Sequence, residues 1–321
     1  MNSIVPAGVA RAAAAAAGAG RRLALPVLAL GLMLSGSGCE RASVAVDPSE
    51  RPALVLRLGY TPSEDVLADR EEAQQTLADY LTRELHLKVE RVRTTSYGPA
   101  VEAMERGEID VMSLGPFAYV LAARRGVAEA VAVTGWRDRG PRTYQSAIIT
   151  HRRTGLKRLD DVPAVAKQLR FNYTDPASNS GHLVPQTRLA AAGLQAEQHF
   201  SSVEYTLSHS VAIFNVLHDK ADLAGVSASV LERLGAKRRF AMDDLVVLWR
   251  SESFPLGPVT VRSSLPTELK RELQRALVEL PVRDPQAARV VMAQYSESGL
   301  VYLACDPSLY EGLQALAESI R

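Results

Sequence analysis

The stretch Asn172 to His182, NYTDPASNSGH, holds the side chains best suited to chemistry. Ser178, Asn179 and Ser180 are helix-capping residue types, and Gly181 lets a ligand come close to the backbone. A short strand pattern, Leu169 to Phe171, leads in, and the helical pattern HLVPQTRLAAAG, closed by Gly193, leads out. Hydroxyls grouped around the unpaired N–H groups of a helix start form a neutral cradle for a tetrahedral oxyanion, with no lysine needed. The same residues also suit the plainer task of capping their own helix, so this stretch alone leaves both readings open. Pro185 is awkward inside the helix, because it removes a backbone hydrogen bond; the helix is bent there or starts late.

Other chemistries find less support. Ser178 or Ser180 with His209 and an aspartate would spell a hydrolase triad, but there is no G-x-S-x-G elbow to present the nucleophile. The histidines His86, His151, His182, His199, His209 and His218 show neither H-E-x-x-H nor Cys/His spacing, so no metal site and no cofactor are expected. A net charge of +1, without Lys/Arg clusters, argues against a nucleic-acid partner. Cys305 follows Tyr302, Leu303 and Ala304 and reads as a small buried thiol. The expectation is a binding protein rather than an enzyme.

The elements that must hold the cradle alternate strand and helix. Ala53 to Tyr60 reads as a strand, Asp69 to Leu85 as an amphipathic helix, and Lys88 to Thr94 as a strand. Pro99 to Arg106 is helical, Ile109 to Leu114 extended, a helix opens at Gly115-Pro116, and Ala130 to Thr134 is again extended. After the strand Gln145 to Thr150 a second cycle begins, with strands at Ser202 to Tyr205 and Leu223 to Val226 around a helix from His209 to Leu217. Leu245 to Trp249 is a last strand before the Pro-rich Phe254 to Pro258 and three closing helices. This alternation predicts an α/β protein of two lobes, each with a mixed, mainly parallel sheet. Lobe one takes residues 53–147 and 259–321, and lobe two 148–258, with hinge crossings near 145–150 and 252–260. Ligands bind beyond the carboxyl ends of such strands, where Tyr60, Tyr97 and Gly115 fall.

Residues 1–38 differ in composition from the rest. Arg11, Arg21 and Arg22 precede the apolar LALPVLALGLML, and Ser35-Gly36-Ser37-Gly38 leads into Cys39. This is an export signal, and its apolar core is too short to span a bilayer. A cysteine directly after small residues resembles a bacterial lipoprotein signal, which implies acylation of Cys39 and a tether over 39–52, although Gly36 stands where leucine is usual. The protein is therefore expected outside the cytoplasm, in the periplasm or at the cell surface, held to a lipid bilayer through Cys39, with an uncleaved anchor or plain secretion as the alternatives.

Taken together, the motifs resemble the periplasmic solute-binding proteins of phosphonate, phosphite and phosphate ABC importers, which have the type II two-lobed fold. They are Pro62-Ser63-Glu64-Asp65, Tyr97 before Glu102-Ala103-Met104, Gly107-x-x-Asp110-Val111 and Gly115-Pro116-Phe117. Further along come Tyr144-x-Ser146, Asp175-Pro176-x-Ser178-x-Ser180-Gly181, Ser208-His209, Asp222 and the return from Trp249 to Pro258. The resemblance implies that Ser178, Asn179, Ser180 and His209 hold the phosphorus head group and that Tyr97 and Tyr144 close over it from the first lobe. A protonated His209 would add a charge-assisted bond. It also implies a membrane permease as partner; a sensor feeding a membrane signalling partner is the alternative. Asn179 stands where threonine is common. Where relatives that take aminoalkylphosphonates carry carboxylates for the amine, this chain reads Gly225-Val226-Ser227-Ala228-Ser229 and Gly257. A buried ammonium without a counter-charge is costly, so the expected ligand lacks an amine: phosphite, methylphosphonate or phosphate. Glu204 and Glu252 are the carboxylates that would reverse this expectation by reaching the site.

Overall fold

A computed structural model describes residues 54–61, 67–295 and 297–319. The leader, Cys39, the tether and the Pro62-Ser63-Glu64-Asp65 motif lie outside the described residues. Among those described, no helix is long and apolar enough to cross a membrane.

The chain begins with β1 (Val55–Tyr60), α1 (Leu67–Leu85), β2 (Lys88–Arg93), α2 (Tyr97–Glu105), β3 (Val111–Ser113) and α3 (Pro116–Arg124). Then follow β4 (Ala128–Trp136), the two-residue β5 (Gly140–Pro141) and β6 (Thr143–His151). The middle of the chain gives β7 (Arg170–Tyr173), α4 (Val184–Ala191), α5 (Ala196–His199), β8 (Ser202–Tyr205), α6 (His209–Leu217), β9 (Leu223–Ser227), α7 (Ala228–Ala236) and β10 (Leu245–Pro255). The last part is β11 (Val259–Arg262), α8 (Thr267–Arg283), α9 (Pro285–Ala293), β12 (Val301–Ala304) and α10 (Glu311–Ser319).

Two sheets result. One runs β12-β4-β11-β3-β1-β2 with β5 paired to β4, and the other runs β10-β6-β9-β7-β8. Each is covered on both faces. Strand alternation sends Ile148 to one side of the second sheet and Ala147 and Ile149 to the other, into two separate apolar clusters. The first sheet likewise sends Leu56, Leu58 and Val111 toward α1, α8 and α9, and Met112 toward α2 and α3. A buried carboxylate, Asp110, and a half-buried one, Asp222, tie strands together. Asp110 accepts from the Arg57 N–H at 2.9 Å and from the Arg262 guanidinium at 2.7 Å, and Asp222 accepts from the Arg170 N–H and side chain at 2.8 and 2.9 Å. The Gly107-x-x-Asp110 and Asp222 motifs therefore serve the sheets.

The sheets are mixed rather than mainly parallel. Among the described residues, only β1–β2, β1–β3, β7–β8 and β7–β9 pair in parallel. Each strand by which the chain enters from the other sheet runs against the local direction: β11 is antiparallel to β3 and β4, and β6 is antiparallel to β9 and β10. Alternation of strand and helix does not reveal this, because the reversals occur where the chain changes sheets. The two passages between sheets lie around 142–143 and 256–258 and are joined by a hydrogen bond from the Leu256 N–H to Arg142 O at 2.9 Å. The first lies just before the expected crossing, because Gln145 is already within β6, opposite Ser253 of β10.

Candidate functional site

All six residues singled out in the sequence line one cavity of about 450 Å³, between residues of the two sheets and their helices. The cradle is built by an unusual start to a helix. After β7, residues Asn179–Leu183 form a single wide π turn, and α4 begins only at Val184, with Pro185 in its first turn where no donor is lost. The late start resolves the difficulty with Pro185. Ser178 Oγ accepts from the Gly181 N–H at 3.0 Å, and a Cβ on Gly181 would lie 1.7 Å from Thr174 Oγ1, so this position admits only glycine. Ser178 does cap its turn, and it lines the cavity as well; the two readings of the stretch hold together. Asn179 Nδ2 donates to the Tyr144 hydroxyl at 3.3 Å, which fixes the tyrosine against the turn. Its Oδ1 is buried without a hydrogen-bond partner, an acceptor suited to a protonated ligand oxygen or a water. The Ser146 hydroxyl donates to Ser180 O at 2.8 Å and holds the cradle to β6. Burial pushes the Tyr144 phenol up, so it stays a neutral donor.

His209 opens α6, behind the cap Ser208. Its Nδ1 accepts from the Ser227 N–H at 3.1 Å, which leaves the proton on Nε2. Burial first, and the nearby Arg233 charge second, bring its pKa down to about 4. In the ligand-free protein the imidazole is thus neutral and donates through Nε2–H, where the sequence led to the expectation of a protonated histidine.

Tyr97 comes from the opposite side, at the first position of α2, with its ring against Gly115. Its backbone N–H donates at 3.1 Å to Asp175 Oδ2, while Oδ1 of the same buried carboxylate accepts from the Ala177 N–H at 2.7 Å. One side chain thereby links the first sheet's helix to the cradle loop. Tyr60 does not line the cavity; Arg91 lies over its ring at 5.3 Å.

Four nine-residue helices start at this cavity: α2 at Tyr97, α3 at Gly115-Pro116, α6 at His209, and α7 at Ser227 and Ser229. A helix start carries partial positive charge, worth about 0.3–1 kcal/mol to an anion, and at α2 the Tyr97 N–H is already given to the Asp175 carboxylate. The potential amine partners fall elsewhere. Glu204 and Glu252 are exposed on β8 and β10 and are absent from the lining. The carboxylates that do line it are already engaged, Glu232 with Arg250 at 2.9 Å and Glu297 with Arg142 at 2.5 Å. A side chain at Gly257 is impossible, since its Cβ would sit 1.8 Å from Leu114 O. Arg233 and Arg142 line the cavity and were not singled out in the sequence. Nothing in an amphipathic helix such as α7 tells which polar residue faces a cleft and which faces solvent. Among the described residues, no group of three His, Cys, Asp or Glu side chains could hold a metal ion.

The fold has clear relatives among solved structures. A binding-protein component of an ABC phosphonate transporter from Pseudomonas aeruginosa superimposes with a TM-score of 0.73 at 23% identity, over 83% of this chain and 86% of its own. PhnD1 from Prochlorococcus marinus, in complex with methylphosphonate, gives 0.70 at 17% identity, over 85% and 99%. These likenesses establish the two-lobed type II periplasmic binding protein fold. In sequence, the phosphonates-binding periplasmic protein of Escherichia coli is 25% identical over 63% of this chain, and the phosphate-import protein PhnD of Mycolicibacterium smegmatis 29% identical over 53%. The matched regions span 61% and 51% of those relatives' own length. Residues 58–302, most of the described chain, match the family described as ABC transporter, phosphonate, periplasmic substrate-binding protein, and to that family this chain belongs.

Proposed function

We propose that this protein is the extracytoplasmic receptor of an ABC importer and captures a small phosphorus oxyanion without an amine, such as phosphate, phosphite or methylphosphonate. The observation that carries this reading is the convergence of four helix starts and the Ser178–Asn179–Ser180 turn on one cavity. Ser178, Asn179, Ser180 and the Nε2–H of His209 hold the head group, and Tyr97 and Tyr144 donate from the other side. The carboxylates of the lining are held by arginines, and Gly257 has no room for another, so an ammonium would be buried without a partner. Named relatives import phosphate and bind phosphonates, which fits this ligand class. Capture is by closure of the two lobes, and the closed form is what a permease would read. Acylated Cys39 tethers the receptor to its membrane.

The test is thermal unfolding of the full chain in detergent with phosphate, phosphite, methylphosphonate, 2-aminoethylphosphonate and sulfate. At a hundred times its dissociation constant a ligand adds about 2.7 kcal/mol, a rise of roughly 2–4 °C. A rise with at least one amine-free phosphorus anion, larger than with 2-aminoethylphosphonate, is expected. No rise with any of the three amine-free anions defeats the reading.

A further inference from the structure

We infer that Asn179 makes this receptor select oxyanions that keep one proton, such as hydrogenphosphate or a singly protonated phosphonate, over sulfate and sulfonates of the same shape and charge. The inference rests on the oxyanion-receptor reading and adds to it the residue that tells phosphorus from sulfur.

The hydroxyls of the lining, among them Ser178, Ser180 and Tyr144, turn to donate or accept as a ligand requires, so they do not tell a protonated oxygen from an ionised one. An amide has no such freedom. Its nitrogen only donates and its carbonyl oxygen only accepts. In Asn179 the nitrogen is already committed, since Nδ2 donates to the Tyr144 hydroxyl oxygen at 3.3 Å, and Oδ1 is buried without a partner. The reverse orientation of the amide would take up the Tyr144 proton and cost the site that donor. Nor does the side chain reach water instead. Asn179 is only 2% exposed, and the turn that carries it is pinned by the Gly181 N–H on Ser178 Oγ at 3.0 Å and by the Ser146 hydroxyl on Ser180 O at 2.8 Å. A buried acceptor left unmet is unfavourable until a donor reaches it. The P–OH of a phosphorus ligand is such a donor. Sulfate and sulfonates hold no proton near neutral pH and would set an oxygen lone pair against Oδ1, leaving the acceptor unmet and repelled. The discrimination therefore needs no difference in ligand size or charge.

The test uses two pairs of like shape and equal charge in which only the phosphorus member carries a proton: phosphate with sulfate at about pH 8, and methylphosphonate with methanesulfonate at about pH 6. Affinities are measured by calorimetry for the full chain in detergent and for Asn179→Thr and Asn179→Ser, whose hydroxyls either donate or accept. In at least one pair the parent should prefer the phosphorus member by about 100-fold or more. That preference should fall at least about tenfold in the variants, because a hydroxyl can turn its proton toward the sulfur ligand. A smaller preference in the parent for both pairs, or variants that weaken both members of a pair by the same factor, overturns the inference while leaving the receptor reading intact. Binding of phosphite without phosphate or methylphosphonate does the same. Failure of the parent to bind any of these three phosphorus anions overturns both. Unaltered melting temperatures of the ligand-free variants establish that the fold is kept.

Discussion

His209 makes the stability of this protein depend on pH in a calculable way. In the fold its pKa is lowered from 6.5 to about 4, mainly by burial and then by Arg233, while Ser227 N–H occupies Nδ1. The unfolded chain therefore binds a proton at this residue between about pH 6.5 and pH 4 that the native state refuses. Stability contributed by the neutral imidazole is fully present above pH 6.5 and is lost as the pH falls through that window. At about 1.4 kcal/mol per pH unit the whole effect is on the order of 3 kcal/mol, of which roughly 2–3 kcal/mol is lost by pH 4.5. The assay is urea unfolding at about pH 7.5, 6.5, 5.5 and 4.5 for the parent and for His209→Gln, which is neutral throughout and keeps an acceptor for Ser227. Other titrating groups cancel in the difference. The parent should lose roughly 2–3 kcal/mol more than the variant between the extremes. Parallel curves, with a constant difference across the range, would refute the argument that His209 is buried as a neutral donor.

Asp175 and Cys39 give two further tests. Asp175→Asn leaves one acceptor where two N–H groups, of Tyr97 and Ala177, are now satisfied, so one charge-assisted bond worth about 1.5–3 kcal/mol is lost. If the Tyr97 bond is the one given up, methylphosphonate affinity should fall roughly 10- to 100-fold, and calorimetry showing a change below about threefold would rule out a linking role. Cys39→Ser should move the protein from the membrane pellet to the soluble fraction of disrupted cells; unchanged fractionation would exclude acylation at this residue as the anchor.

What could be read in the sequence was decided by local rules. A strand followed by small capping residues and a helical pattern gave the cradle, and Ser208-His209 marked the start of α6 at the residue where it begins. Those signals lie within a few positions of one another. The parts that were missed depend on residues far apart in the chain. The protonation of His209 is set first by its burial and then by Arg233 on the following helix, and its tautomer by Ser227, eighteen residues on. β12 (VYLA) is too short to show a period, and pairing with β4 makes it a strand. The antiparallel reversals of β6 and β11 follow from the chain crossing twice between sheets, which strand propensity does not record.

The same distinction explains why Gly257 and Gly225 carry more information than the serines. A serine in the cradle is compatible with capping or binding, and its presence does not decide between them. A glycine whose Cβ would lie 1.8 Å from Leu114 O, or 2.7 Å from the Pro185 ring in the case of Gly225, excludes every larger residue. At Gly257, and at Gly225 within the Gly225–Ser229 stretch, packing leaves no room for a carboxylate: the return passage approaches Leu114 closely, and β9 lies against the first turn of α4. A carboxylate at either glycine would require moving backbone as well as changing a side chain. The amine-free ligand proposed above is therefore favoured by the close approach of these segments as well as by the choice of side chains.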